Sequence, residues 1–66
     1  MKIGATYLNI ELNRTFKVED IQVDLTSSGA MKVHIFIRWL DGFYQGKTTF
    51  FVATADNLKN MDYIEG

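Results

Sequence analysis

The chain has 66 residues, the size of one small domain, and we expect residues 1–66 to form a single fold. It contains no cysteine and one histidine, which excludes disulfides, thiolate metal sites, cysteine nucleophiles and a histidine-based metal cluster. Hydrophobic residues make up 47% and the formal net charge is −1. This balance is typical of a folded domain, and it argues against both a DNA mimic and a strongly basic nucleic-acid binder.

The sequence also predicts where the protein acts. No apolar run approaches the roughly 20 residues that cross a bilayer. The first residues lack the apolar core of a signal peptide. We therefore expect a cytoplasmic protein that does not bind membranes, and we predict no cofactor and no metal.

Alternation of apolar and polar residues predicts the first two strands. Residues 7–12 form the first, and residues 16–25 form the second. Within the second strand the alternation shifts by one residue after Glu19-Asp20, which would turn every later side chain to the other face. We therefore predict a β-bulge at this position. The alternative, a short helix, would leave Val23 off its apolar stripe.

The next turn predicts a specific register. If Ser27-Ser28-Gly29 is a three-residue loop, Gly29 takes the left-handed position of a type I turn with a G1 bulge. This register places apolar residues opposite one another and pairs opposite charges on the other face. The resulting pairs are Leu25 with Met31, Val23 with Val33, Ile21 with Ile35, and Asp24 with Lys32.

A third strand spans residues 31–40, and Asp41-Gly42 after it indicates a two-residue type I′ hairpin turn. The pairs that this turn predicts are Trp39 with Tyr44, Ile37 with Gly46, Ile35 with Thr48, Val33 with Phe50, and Met31 with Val52. A longer loop from Asp41 to Gly46 is the alternative.

The last eleven residues change pattern. Leu58, Met61 and Ile64 recur at three-residue spacing, which predicts a short helix of about two turns. Thr54 or Asp56 would cap its first turn. A fifth strand over residues 61–65 is the alternative.

These elements predict an α+β or mainly β fold, a four-stranded antiparallel meander with a short C-terminal helix. The shared apolar face is too large for one short helix to cover, so we expect the sheet to curl strongly, close toward a barrel, or share this face with another subunit. The predicted face consists of Leu8, Ile10, Leu12, Phe16, Val18, Ile21, Val23, Leu25, Met31, Val33, Ile35, Ile37, Trp39, Phe50 and Val52.

The opposite face contains unexpected apolar residues. By the registers above it holds Lys32, His34, Phe36, Arg38 and Leu40 from the third strand, and Phe43, Gln45, Lys47, Thr49 and Phe51 from the fourth. Four of these form a candidate exposed apolar patch, Phe36, Leu40, Phe43 and Phe51. A second small core, or a register wrong by one residue, is the alternative.

The fourth strand is also a candidate interface. Residues 48–54 are uncharged and lack proline, and in a meander this strand lies at the edge of the sheet. Such an edge accepts a partner strand, either from a target or from a second copy in a homodimer. Closure onto the first strand is the alternative.

No pattern indicates catalysis, and we expect the protein not to be an enzyme. His34 is the only imidazole and is expected to be structural, while Ser27 and Ser28 have the composition of a turn. The acidic residues lack the spacing of a calcium loop.

Two functions remain. The first is a small protein-binding module, an inhibitor that occludes a target in the manner of proteins from phages and mobile elements, although no motif shows that origin. The predicted partner-binding residues are Phe36, Arg38, Leu40, Phe43, Tyr44, Lys47 and Phe51. The alternative is single-stranded nucleic-acid binding by an aromatic and basic sheet face. The residues predicted for that role are Lys32, His34, Phe36, Arg38, Lys47 and Phe51.

Overall fold

The computed structural model describes all 66 residues as one antiparallel sheet of five strands with one short helix. The strands are β1 (Thr6–Asn9), β2 (Arg14–Leu25), β3 (Met31–Trp39), β4 (Thr48–Val52) and β5 (Met61–Glu65), and the helix is α1 (Ala55–Lys59). Their order across the sheet is β4-β3-β2-β1-β5, and the sheet is not closed. The predicted meander of the first four strands is confirmed. The prediction of strong curling is wrong, because a fifth strand extends an open sheet instead.

The long β2–β3 hairpin has the predicted register. Leu25 lies opposite Met31, and the other predicted pairs follow in step. Gly29 has a φ of +86°, the left-handed conformation that the three-residue loop requires. The register shifts between Val18 and Asp20, which confirms the predicted β-bulge.

The β3–β4 hairpin differs from the one that a tight Asp41-Gly42 turn predicts. Ile35 lies opposite Phe51 instead of Thr48, and all five predicted pairs are wrong. The displacement is three residues, an odd number, so the side chains of β4 are on the other face. The longer loop ending at Gly46, the alternative above, is the one observed.

The reason lies in the contacts of Asp41. Its carboxylate accepts hydrogen bonds from the backbone N–H and the hydroxyl of Thr15, at 3.0 and 2.8 Å. Asp41 therefore ties the chain to the start of β2 and is not the corner of a two-residue turn. The chain returns at Gly46, whose φ is +82° and whose N–H donates to the Trp39 oxygen.

In β1 the side chain that faces the core is Tyr7, whereas the prediction placed Leu8 there. Tyr7 lies opposite Phe16, with the ring centroids 5.9 Å apart, and Leu8 is therefore on the other face. Ile10 and Leu12 belong to the turn after β1 and are exposed. Alternation alone permits either face of this strand, and the larger apolar area of the aromatic ring favours the face of Tyr7.

The C-terminal segment contains both a helix and a strand. The Thr54 hydroxyl accepts a hydrogen bond from the Asn57 backbone N–H, so the predicted N-cap is confirmed. The helix stops at Asn60, whose side-chain amide donates to the Asn9 side chain at the end of β1. The chain then pairs with β1 over Met61–Glu65. The helix prediction is thus correct for the first turn, and the strand alternative is correct for the rest.

A small core lies on one side of the sheet, here called the core face. Its buried residues are Phe16, Val18, Ile35 and Ile37, and Ala5 is buried as well, outside this cluster. Because β4 and β5 lie at opposite edges, the segment containing α1 connects one edge of the sheet to the other. Ala53 and Met61, on either side of α1, pack against the core, whereas α1 itself contains no buried residue. Phe50 and Val52, predicted to be on this side, pair with residues of the opposite side, here called the outer face.

Candidate functional site

The loop between β3 and β4, residues 40–46, is fixed to the sheet at both ends, and we call it the apex loop. Near its start, Asp41 accepts the two hydrogen bonds from Thr15 described above. At its end, the Arg38 guanidinium donates to the Gly46 oxygen at 2.7 Å. The position of the loop relative to β2 and β3 is therefore set by several polar contacts.

This anchored loop exposes an aromatic side chain. Phe43 is 86% exposed, and its ring meets that of Tyr44 edge-on with 5.1 Å between the centroids. The Arg14 guanidinium lies 5.4 Å from the centroid of the Tyr44 ring. The Arg14 side chain also packs against Gly42, where an added Cβ would lie 2.9 Å from its Nε. Arg14 thus contacts two residues of the loop from the core-face side.

A groove of about 580 Å³ runs beside the apex loop on the core face. Its apolar lining comes from Leu12, Trp39 and Tyr44. A smaller cavity of about 160 Å³ shares Leu12 and Trp39 with it and continues toward α1. The part of the sheet that α1 leaves uncovered therefore forms a continuous depression.

The charged side chains of the groove are both basic. They are Arg14 and Lys47, and no acidic residue contributes to the lining. Neither forms an ion pair, whereas Arg38 pairs with Glu19 elsewhere on the sheet. The charged groups that line the groove are therefore all positive, although the whole chain has a net charge of −1.

The groove adjoins the open edge of β4. The Ala53 N–H donates to the Val33 oxygen at 2.9 Å, so the odd-numbered residues of this segment are those that bond to β3. The alternate residues, Thr48, Phe50 and Val52, direct their backbone groups away from the sheet. The Val52 oxygen accepts from the segment that follows β4. The backbone groups of Thr48 and Phe50 remain free to pair with another strand.

The outer face carries a second, smaller aromatic cluster. The Phe50 ring centroid lies 5.7 Å from that of Phe36 and 5.4 Å from that of His34. Phe50 is 54% exposed. The guanidinium of Arg38 on this face donates to Glu19 at 3.1 Å. The outer face beside β4 is thus apolar, with its arginine already paired.

The structure divides the predicted partner-binding residues among different places. Leu40, Phe43 and Tyr44 lie in the apex loop, Lys47 lines the groove, Phe36 and Arg38 are on the outer face, and Phe51 faces the core. The Phe51 ring centroid is 6.2 Å from that of Phe16. Its predicted exposure on the outer face is wrong because of the three-residue displacement of β4.

The residues predicted for nucleic-acid binding do not form one surface. Lys47 and Phe51 are on the core side, away from the others. On the outer face, Nδ1 of His34 lies 3.0 Å from an Asp24 carboxylate oxygen, and Lys32 is opposite the same aspartate. Acidic side chains therefore alternate with the basic ones there, and no continuous basic platform results.

Sequence reasoning missed Arg14 and Phe50. The position of Arg14 could have been inferred, because the predicted β2–β3 register, continued past the bulge, places Arg14 opposite Asp41 at the start of the loop. Phe50 was missed because the wrong hairpin register assigned it to the core. No simple pattern in the sequence indicated that Asp41 would bond to Thr15.

A separate apolar surface lies at the far end of the β2–β3 hairpin. Val23, Leu25 and Met31 share the core face there, beyond the strands that flank the hairpin lower down. Leu25 is 73% exposed. This tip is remote from the apex loop and supplies a comparison site for experiments.

No protein-family model matches this sequence, and neither the curated proteins nor the solved structures include a significant match. The chain has no helix with the length and apolar character needed to span a bilayer. No group of three or more His, Asp or Glu side chains is arranged to hold a metal ion. The apex loop, the groove and the β4 edge are the features from which a function can be argued.

Proposed function

We propose that this chain is a small, non-catalytic protein-binding module that inserts its apex loop into a partner and occludes the partner's surface. The observation that carries the proposal is the exposure of Phe43 on a loop fixed by polar contacts. Burying a phenylalanine is worth about 1.5–3 kcal/mol, so its exposure forgoes that stabilisation in the free chain and makes it available to a complex.

The neighbours of Phe43 support this role. Aromatic residues and arginine are the residue types that dominate binding energy at protein interfaces. Here Tyr44 lies directly beside the exposed ring, and Arg14 lies over the ring of Tyr44. The groove next to them offers apolar side chains between two cations. Together they have the composition of an interface core with a polar rim.

The anchoring of the loop favours tight binding. Association costs entropy for every loop and side chain that must be ordered. Hydrogen bonds of Asp41 with Thr15 and of Arg38 with Gly46 already tie the apex loop to the sheet. Much of the ordering cost is therefore met during folding, and the module can bind with an aromatic anchor that is preorganised.

The test compares the wild-type chain with a Phe43→Ser variant as immobilised baits in lysate of the cells that naturally express the protein. A Leu25→Ser variant is the matched control, since it removes an exposed apolar side chain at the remote hairpin tip. We expect a protein that binds the wild type and the control, with affinity for Phe43→Ser reduced about 30-fold or more, as at an interface hot spot.

Circular dichroism and thermal melting establish that both variants keep the fold. If every protein retained by the wild type is retained equally by folded Phe43→Ser, the apex loop is not the interface. If the Leu25→Ser variant instead loses the partner, the binding surface is the hairpin tip.

A further inference from the structure

We infer that the partner contributes an extended segment that pairs with β4 as a sixth strand and places an acidic side chain in the groove at Lys47. This inference rests on the proposed function, and it specifies the chemistry of the partner. Three observations support it: the free backbone groups of β4, the unpaired cations Arg14 and Lys47 in the groove beside this strand, and the half-exposed ring of Phe50 on the outer face.

The backbone of β4 is ready for strand addition. The N–H and C=O groups of Thr48 and Phe50 point away from the sheet. An added strand can exchange hydrogen bonds with both residues without disturbing the bonds from β4 to β3. This is the geometry by which extended peptides bind to sheet edges.

The opposite edge of the sheet is less suited to strand addition. β5 carries Asp62 and Glu65, and its pairing with β1 is irregular between Thr6 and Tyr7. Charges and irregularities are the features that protect edges from pairing. β4 contains no charged residue and no proline, so of the two outermost strands β4 is the one better suited to accept a strand.

The two faces of β4 predict the pattern of the bound segment. Side chains alternate along a strand, so the partner residue opposite Thr49 lies on the core face, at the groove. Its neighbours lie on the outer face, where Phe50 is half-exposed against Phe36. The expected segment therefore alternates an acidic residue with apolar residues on both sides.

The charge of the groove selects the acidic residue. Lys47 is two residues from Thr49 on the same face, within reach of a long side chain placed diagonally across the new pair. Arg14 adds a second positive charge, and its side chain is held by Gly42 and Tyr44. Because neither cation has an ion-pair partner within the chain, a carboxylate would neutralise charge that is otherwise uncompensated.

The experiment selects ligands from a phage-displayed library of random linear 12-residue peptides on the immobilised full chain. We expect enriched peptides in which Asp or Glu lies between apolar residues. A synthetic peptide of the enriched sequence is then titrated by fluorescence polarisation. Changing its acidic residue to the amide should weaken binding about tenfold, the scale of a lost charge-assisted hydrogen bond.

Two pairs of variants test the two contacts separately. Lys47→Gln should weaken binding about tenfold, whereas Lys59→Gln on α1 should leave it unchanged. Thr48→Pro removes an outward N–H but no bond to β3, and it should weaken binding at least tenfold. Thr48→Ala keeps that N–H and should retain most of the binding that Thr48→Pro loses.

Hydrogen exchange supplies a readout that needs no variant. The amides of Thr48 and Phe50 should exchange rapidly in the free chain and become protected when the peptide binds. Enriched peptides without an acidic residue, or binding that leaves these amides unprotected, would overturn the inference. So would an empty selection.

The source of the strand is tested by light scattering over a range of protein concentration. A wild-type dimer that Thr48→Pro dissociates would show that a second copy, and not an acidic peptide, occupies β4. That result overturns the inference and leaves the role of Phe43 intact. Conversely, if peptides bind as expected while Phe43→Ser retains the cellular partner, the inference stands and the proposed anchor does not.

Discussion

Adjacent phenylalanines in β4 have opposite environments, and their substitution provides the sharpest test of the fold. Phe51 lies opposite Ile35 and packs against the buried ring of Phe16. Phe50 is on the outer face and 54% exposed. We predict that Phe51→Ala destabilises the protein considerably more than Phe50→Ala does.

The magnitude follows from burial. Removing a fully buried phenylalanine costs about 3–5 kcal/mol, and Phe51 is partly buried, so we expect a loss of about 2–3 kcal/mol. For the half-exposed Phe50 the loss of transfer free energy is about 1 kcal/mol. The expected difference in unfolding free energy is therefore about 1–2 kcal/mol.

Urea denaturation followed by circular dichroism measures this difference. With a slope near 1 kcal/mol per molar urea for so small a chain, the two midpoints should differ by about 1–2 M. A core of this size supplies only about 3–5 kcal/mol, so Phe51→Ala will be close to unfolding even without urea. The milder pair Phe51→Leu and Phe50→Leu preserves most of the volume and should show the same order.

The reverse order would refute the observed register. A two-residue Asp41-Gly42 turn places Phe50 against Val33 on the core face and leaves Phe51 outside. In that arrangement Phe50→Ala would be the more damaging substitution. Equal effects would show that both rings are buried and that the outer face is covered.

Two further predictions concern the turns. Asp41→Ala removes both hydrogen bonds from Thr15 and should lower the free energy of unfolding by about 1–2 kcal/mol. In this variant the Thr15 amide should exchange with solvent faster than in the wild type, and unchanged exchange would show that Asp41 does not anchor the loop. In Gly29→Ala the added Cβ would have no atom within 4 Å, so there is no steric clash. The expected loss of about 1–2 kcal/mol in the free energy of unfolding therefore comes only from the left-handed φ. The melting temperature of Gly29→Ala should be several degrees lower than that of the wild type, and an unchanged melting temperature would contradict the turn assignment.

The β2–β3 hairpin was predictable because two independent constraints agreed. The apolar alternation on either side of Glu19-Asp20 fixed the bulge, and Gly29 fixed the turn. On the opposite face, Asp24 and Lys32 then fell into register without further assumptions. Where alternation, turn chemistry and charge pairing select the same register, sequence reasoning is reliable.

The β3–β4 hairpin was not predictable from local signals. Asp-Gly is a strong signal for a tight turn, but here the aspartate bonds to Thr15, 26 residues away in the sequence. This contact exists only once β2 and β3 have paired. It displaces β4 by three residues, moves Phe51 into the core and brings Phe50 to the outer face. The predicted site was wrong for the same reason, because it assumed that Lys47 and Phe51 lie on the outer face.

β1 was mistaken for a related reason. A strand with Tyr7 on one face and Leu8 on the other satisfies alternation in either orientation. In the orientation observed, the Tyr7 ring packs against that of Phe16 and meets that of Tyr63 edge-on at 5.6 Å. Tyr63 belongs to β5, which was predicted only as the alternative to a helix. Each wrong face thus follows from a contact between residues far apart in the sequence.

The exposure of Phe43 differs in kind from that of the hairpin tip. Val23, Leu25 and Met31 continue the alternation of strands whose other end builds the core, so the geometry of the sheet places them on that face. Phe43 is in a loop, where no register dictates an apolar residue and a polar one would satisfy the fold. The loop is nevertheless fixed by hydrogen bonds to β2 and presents the ring to solvent. The fold does not require an aromatic residue at this position, and the exposure of Phe43 is what the proposed binding role would explain.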